Sequence, residues 1–184
     1  MRKVIANLFI SLDGVVERPD QWHFPYFNDE MGQAVGEGMA TTDTMLLGRV
    51  TYQEFAGFWP QQTEPPADHM NSTPKIVVSN TLTSADWQNS RIVRGGELAA
   101  ELSRLKQREG KNIGTVGSAT LVRSLLRDGL LDELHLLVHP LVVGSGKRLF
   151  EGETGKVPLE LLSSKTFSTG VLYLVYGRAT QPTA

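Results

Sequence analysis

The chain of 184 residues contains no cysteine. That excludes disulfides, a thiolate nucleophile and cysteine-ligated zinc, and it fits a reducing cytoplasm. An excess of charge is also missing: 18 Lys and Arg stand against 20 Asp and Glu, a formal net charge of −2. No broad basic field exists to attract nucleic acid or an anionic membrane, so any anionic ligand must be held by a local site. Long apolar runs are absent too, since the longest, Val171 to Tyr176, falls far short of a membrane span. The first residues, Met1-Arg2-Lys3-Val4-Ile5, run straight into a strand-like pattern without the apolar core of a signal peptide. The expectation is a soluble, cytoplasmic protein with a small-molecule substrate and neither a nucleic-acid nor a membrane partner.

Several familiar site signatures are lacking. No G-x-G-x-x-G follows a strand, so the Rossmann fingerprint is out. Gly144-Ser145-Gly146-Lys147 is not a P-loop, because Leu141 stands where its first glycine belongs and Arg148 replaces the magnesium-binding Ser or Thr. Val142-Val143-Gly144-Ser145-Gly146 has the wrong spacing for a nucleophile elbow. His135 and His139, four apart on a strand, would sit roughly 13 Å from each other, too far to share an ion. No metal site is expected.

What is present is an ordinary globular composition, 40% hydrophobic and 21% charged. A chain of this length buries roughly 70% of its unfolded surface, enough for one core, so a single domain over 1–184 is expected. Strand-like runs fall at 3–11, 44–48, 75–79, 91–93, 112–116, 133–143, 159–166 and 170–178. Met45-Leu46-Leu47 and Ile76-Val77-Val78 are apolar throughout, as in parallel strands covered on both faces. Helices fit at 29–40 after an Asn28 cap, at 52–57 after a Thr51–Glu54 capping box, at 97–109 and at 119–128. Pro60 to Pro74 reads as a surface loop. Ser168-Thr169-Gly170 reads as a hairpin turn between C-terminal strands. The fold expected is α/β, a mixed and mainly parallel sheet of about eight strands flanked by helices, closing in an antiparallel C-terminal hairpin.

Two strand-to-helix turns stand out, Leu47-Gly48-Arg49 and Val116-Gly117-Ser118. A helix N-terminus at a strand's carboxyl end offers unpaired N–H groups and positive dipole charge, and glycine lets the backbone approach a ligand closely. Arg49 adds a guanidinium that can pair with a phosphate. A phosphate-bearing cofactor is the reading these residues support.

In order along the chain come Ser11-Leu12-Asp13-Gly14, Leu47-Gly48-Arg49-Val50-Thr51-Tyr52, Lys75-Ile76-Val77-Val78-Ser79, Val116-Gly117-Ser118, Asp132-Glu133-Leu134 and Gly144-Ser145-Gly146. With these markers the sequence resembles the dihydrofolate reductase-like fold. Within it, the resemblance is to the reductase domain of riboflavin-biosynthesis deaminase-reductases and its stand-alone relatives, over roughly residues 3–178.

The resemblance implies NADPH across the sheet. Gly48, Arg49 and Thr51 would hold phosphates; Ser79 and Asn80 would lie near the adenosine ribose and its 2′-phosphate. Gly117, Ser118, Ala119 and Thr120 would wrap the pyrophosphate and nicotinamide side. Arg49 beside a ribose phosphate would favour NADPH over NADH. Asp13, Asp29 and Glu30 are the candidate catalytic carboxylates, although Asp13-Gly14 is also a plain turn pair and acids favour a helix start. Trp22 could line the nicotinamide pocket or cap the core. Lys147 and Arg148 read as solvated loop charges.

Two departures bear on substrate. The zinc deaminase signature is absent. The segment Tyr52–Pro60 lacks the Asp-Asp-Pro stretch of the riboflavin reductases, and no Leu-Pro-Trp lead-in of folate reductases appears. The expected activity is NADPH-dependent hydride transfer to a small heterocyclic or sugar-derived substrate, in the riboflavin-type case reduction of a phosphoribosylamino-pyrimidine. Dihydrofolate reduction, or nucleotide binding without catalysis in a sensor, are the alternatives. A homodimer is the partner expected.

Overall fold

A computed structural model describes residues 1–152 and 155–179. In chain order the elements are β1 (Val4–Ser11), α1 (Asp29–Ala40), β2 (Thr42–Gly48), α2 (Arg49–Phe58), α3 (Ala67–Ser72), β3 (Lys75–Val78), β4 (Ser90–Val93) and α4 (Leu98–Lys106). Then follow β5 (Asn112–Thr115), α5 (Ala119–Arg127), β6 (Glu133–His139), β7 (Leu159–Thr166) and β8 (Leu172–Arg178). The strands form one sheet in the order β4-β3-β2-β5-β1-β6-β8-β7. The first six are mutually parallel, and β8 pairs antiparallel with both β6 and β7. This is the mixed sheet with a C-terminal hairpin that the pattern of short apolar runs implied.

Alternation along each strand sends side chains to opposite faces. Val4, Ala6, Leu8 and Ile10 of β1 join Leu46, Ile76 and Ile113 against Leu102 and Leu105 of α4 and Leu121, Val122 and Leu125 of α5. Met45, Leu47 and Val77 pack on the other face with Tyr52 of α2 and Met70 of α3. There Phe9 and Leu137 meet Met31 of α1. Burial holds these helices more than capping does. Each large side chain such as Leu121 or Leu125 is worth about 1.5–3 kcal/mol when buried, against about 1 kcal/mol for a cap.

Two expectations require correction. The Thr51 capping box does not exist: α2 begins at Arg49, its N-cap is Gly48, and no side chain caps it. Thr51 lies inside the first turn instead. The stretch 60–74 is not all loop, because Ala67 and Met70 bury one side of the short helix α3. Its C-terminal end is tied down by Lys75, only 1% exposed, whose Nζ donates to the carbonyls of Asn71 (2.9 Å), Thr73 (2.8 Å) and Gln88 (3.2 Å). The Trp87 ring lies 4.0 Å from that ammonium.

Candidate functional site

The two glycine turns leave adjacent strands. Gly48 ends β2 and Gly117 follows β5, its neighbour. The Gly48 N–H donates to the Gly117 carbonyl at 3.3 Å. A Cβ on Gly48 would collide with Ser118 Oγ and stand 3.2 Å from the Ser118 backbone nitrogen. One on Gly117, at φ +147°, would stand 3.0 Å from Thr51 Oγ1. Neither turn has room for a side chain, so the two backbones define one cradle.

The chain diverges at this place. From β2 it goes out through α2 on one face of the sheet, and from β5 it returns through α5 on the opposite face. The crevice between β2 and β5 is thus a topological switch point, where open α/β sheets bind ligands. Both helices direct their N-termini there. Ser118 caps α5 by accepting from Leu121 N at 3.4 Å, whereas the first N–H groups of α2 meet no capping side chain. Those donors suit an anion. Arg49 is exposed, and its side-chain hydrogen bond among the described residues is a donation to Gln53 Oε1 at 3.1 Å.

Gly48, Arg49, Thr51, Gly117, Ser118, Ala119 and Thr120 therefore come together around one crevice. Ser79 and Asn80 lie one strand outward, since Gly48 sits opposite Val78. Ser79 Oγ is engaged locally, accepting from the amides of Thr81 (3.2 Å) and Leu82 (3.0 Å). Asn80 Oδ1 accepts from Gly95 N at 2.9 Å. Arg94, which sequence reasoning passed over, braces this rim by donating to the carbonyls of Ser79 (2.8 Å) and Leu82 (3.0 Å). Its signal was the pair Gly95-Gly96 directly after it.

The remaining candidates lie on the other side of the crevice, over β1 and β6. Asp13 accepts from Ser11 Oγ (2.6 Å) and from the amides of Val143 (3.0 Å) and Gly144 (2.9 Å), with Arg148 at 3.5 Å. The Ser11 hydroxyl first, then those two amides, hold its carboxyl well below the usual range. Glu30 accepts from the backbone N and the Oγ of Ser168, both at 2.7 Å, and these bonds lower its pKa. Both carboxylates are kept ionised and tie segments together, which suits a brace and not a proton donor. Asp29 is exposed and has no hydrogen-bond partner among the described residues.

Trp22 is buried, with its indole N–H donating to the Glu17 carbonyl at 3.1 Å and its ring edge-on to His139 at 5.2 Å. It caps the end of β6. His139 donates from Nδ1 to the Leu137 carbonyl at 2.8 Å, and burial lowers its pKa and that of His23. Burial thus favours the neutral form of both rings. A second residue missed in the sequence is Asn7. It is a half-buried amide on β1 under Gly38 of α1, with no hydrogen bond among the described residues. A lone asparagine in the apolar run Val4–Ser11 was its signal.

Comparison with known proteins follows the same lines. The sequence model of the RibD C-terminal domain matches residues 2–173. The Bacillus subtilis (strain 168) protein YyaP is 30% identical over 181 residues, spanning 95% of this chain and 94% of that protein. A pyrimidine reductase-like protein from Corynebacterium diphtheriae superposes with a TM-score of 0.69 at 15% identity, over 98% of this chain and 93% of that one. Dihydrofolate reductase from Enterococcus faecalis, solved with NADP(H), gives 0.65 at 14% identity, over 96% of each chain. The fold is dihydrofolate reductase-like.

Proposed function

The chain belongs to the RibD C-terminal domain family, and from that premise we propose that it is an NADPH-dependent reductase of a small heterocyclic or sugar-derived substrate. The observation that carries the reading is the contact of the two glycine turns at the switch point, where no Cβ fits and the α2 N-terminus is uncapped. Phosphates would be held by the N–H groups after Gly48 and Gly117, by the Thr51 and Ser118 hydroxyls and by Arg49. The rim at Ser79, Asn80 and Arg94 would carry the adenosine end. When bound, the reduced nicotinamide supplies hydride. The protein's own part is to orient the acceptor on the β1 side and exclude water from it. Of the three candidate carboxylates, Asp29 has no hydrogen-bond partner among the described residues and would contact substrate. Asp13 and Glu30 hold the surrounding loops.

The test is titration of tryptophan fluorescence with NADPH and NADH. NADPH is expected to bind tighter by about tenfold or more, a preference of about 1.4 kcal/mol that a guanidinium facing the 2′-phosphate can supply. Arg49→Gln should remove most of that preference while leaving NADH affinity nearly unchanged. Equal affinity for both cofactors in the native protein, or no response to millimolar NADPH, overturns the assignment.

A further inference from the structure

From Arg18 to Phe27, between β1 and α1, the chain crosses the acceptor side as a strap held by its rings. Its backbone hydrogen bonds close within it: Gln21 N to Arg18 O, Trp22 N and His23 N to Pro19 O, Tyr26 N to His23 O, Phe27 N to Phe24 O. The Trp22 indole reaches only the Glu17 carbonyl, at 3.1 Å. Among the described residues no hydrogen bond joins 18–27 to the sheet or to the helices around it. Both ends of the strap are fastened. Val16 N donates to the Lys147 carbonyl at 3.0 Å, Glu17 accepts from Lys147 N at 3.2 Å, and Asn28 accepts from Met31 N at 3.0 Å.

Two imidazoles lie at the centre of the contact. His23, on the strap, stacks on Phe9 of β1 at 4.6 Å and 11°, and its ring is 6.2 Å from that of His139 on β6. Trp22 and Tyr26 set their rings nearly at right angles to His139, at 5.2 and 5.7 Å. His139 is fully enclosed and His23 is 7% exposed. Each keeps one buried nitrogen without a partner among the described residues, Nδ1 of His23 and Nε2 of His139. Since His139 Nδ1 donates to the Leu137 carbonyl, its Nε2 is a bare lone pair. A proton there would be a buried charge with no acceptor, and a second on His23 would repel the first.

The charged groups around the pair supply no bonded counter-ion. On the strap, Asp20 pairs with Arg18 at 3.6 Å, and it raises the His23 pKa less than burial and His139 lower it. Beyond β1, Asp13 is taken by Ser11 and the Val143 and Gly144 amides, with Arg148 at 3.5 Å, and Glu17 by Lys147. At the start of α1, Glu30 is held by Ser168 and Asp29 is exposed. The C-terminal hairpin adds a cation, Lys165, over the Phe167 ring, and the Tyr173 phenol, which is bonded to His135.

We propose that residues 18–27 form a strap that lies closed while His23 and His139 are neutral and lifts when they take up protons in mildly acidic solution. Lifting uncovers Phe9 and His139, and with them the acceptor side. The closed strap holds both imidazoles below their ordinary value of 6.5. Below that pH the open strap therefore binds more protons, and closure weakens as pH falls. Two protons allow up to about a hundredfold change in the opening constant per pH unit, and one allows about tenfold. The device is independent of what the neighbouring crevice binds.

The test is amide exchange of the native protein without ligand, followed by mass spectrometry and corrected for intrinsic rates. Protection of residues 18–27, relative to β5 in the same molecule, is expected to fall by about tenfold or more between pH 7 and pH 5. His23→Phe keeps a ring on Phe9 and should make the fall shallower. The double variant H23F/H139Q should abolish it. A relative protection that stays constant with pH overturns the proposal, as does loss of protection in β5 to the same extent, which would be global unfolding. Persistence of the fall in the double variant also overturns it. Should that variant fail to fold, proton NMR of the two imidazoles in the native protein decides. Rings that become charged while the strap stays protected overturn the proposal, and rings that become charged together with its release support it.

Discussion

Gly48 and Lys75 show how single residues set the terms of this site. At Gly48 the constraint is steric: an added Cβ meets Ser118 Oγ and lies 3.2 Å from a backbone nitrogen that cannot swing aside. Gly48→Ala must therefore displace the start of α5. It is expected to destabilise the fold by about 1–3 kcal/mol, the scale of overpacking, and to weaken NADPH binding by more than tenfold. Denaturation and fluorescence titration of the one variant check both. Lys75 is a different case. Burial lowers its pKa from 10.5 to about 8. Between those values the unfolded chain binds more protons than the folded one at this side chain, so its contribution to stability rises with pH across that window. Lys75→Met loses that rise and leaves the carbonyls of Asn71, Thr73 and Gln88 without their donor, at a cost of ~1–3 kcal/mol near neutrality. Urea melts of both proteins on either side of pH 8 should show the native advantage growing with pH. A constant difference would mean that Lys75 keeps an ordinary pKa.

Among the elements, α1 is the joint between the acceptor side and the C-terminal hairpin. Asn28 Oδ1 accepts from Met31 N at 3.0 Å, its Nδ2 donates to Ser168 Oγ at 3.0 Å, and Glu30 takes both polar hydrogens of Ser168. Asn28→Ala should cost about 1 kcal/mol as a lost N-cap. Glu30→Gln should speed amide exchange at Ser168 and Gly170 without abolishing NADPH binding, whereas a catalytic acid would show itself in turnover alone. Because the folded state lowers the Glu30 pKa, the tie persists above the ordinary carboxylate range and is lost as pH falls through the depressed value.

The same elements mark what could be read from sequence. Strands such as Met45–Leu47 and Ile76–Val78 were legible because burial on both faces leaves a run of apolar side chains. The Asn28 cap was legible because its chemistry is local. Capping logic failed at Thr51 because the start of α2 is set by Gly48 abutting Ser118, about seventy residues away in sequence. The helix α3 was hidden because its support, Lys75 and Trp87, lies outside it. Likewise the partners of the acidic residues Asp13 and Glu30, at 143–144 and 168, came into view only in the structure. No local pattern encodes those contacts.

For the molecule as a whole, the sheet separates two kinds of surface along one edge. On the β2–β5 side lie helix N-termini and Arg49, and on the β1–β6 side lie exposed aromatic rings among carboxylates. A ligand that bridges from Ser79 after β3 to Gly117 after β5 touches the ends of strands supported by both hydrophobic layers, through α2 on one face and α5 on the other. Its binding energy should therefore appear in global unfolding and not only in local ordering. Cofactor present at about a hundred times its dissociation constant adds roughly 2.7 kcal/mol to the folded state. At about 2–4 °C per kcal/mol for a chain of this size, the melting temperature should rise by about 5–11 °C. The rise should grow with the logarithm of NADPH concentration and shrink for Arg49→Gln at the same concentration. NADH should reproduce it only at correspondingly higher levels. A melting curve indifferent to NADPH, in a protein whose tryptophans do respond to it, would place the ligand on a locally unfolding rim and not at the β2–β5 crevice.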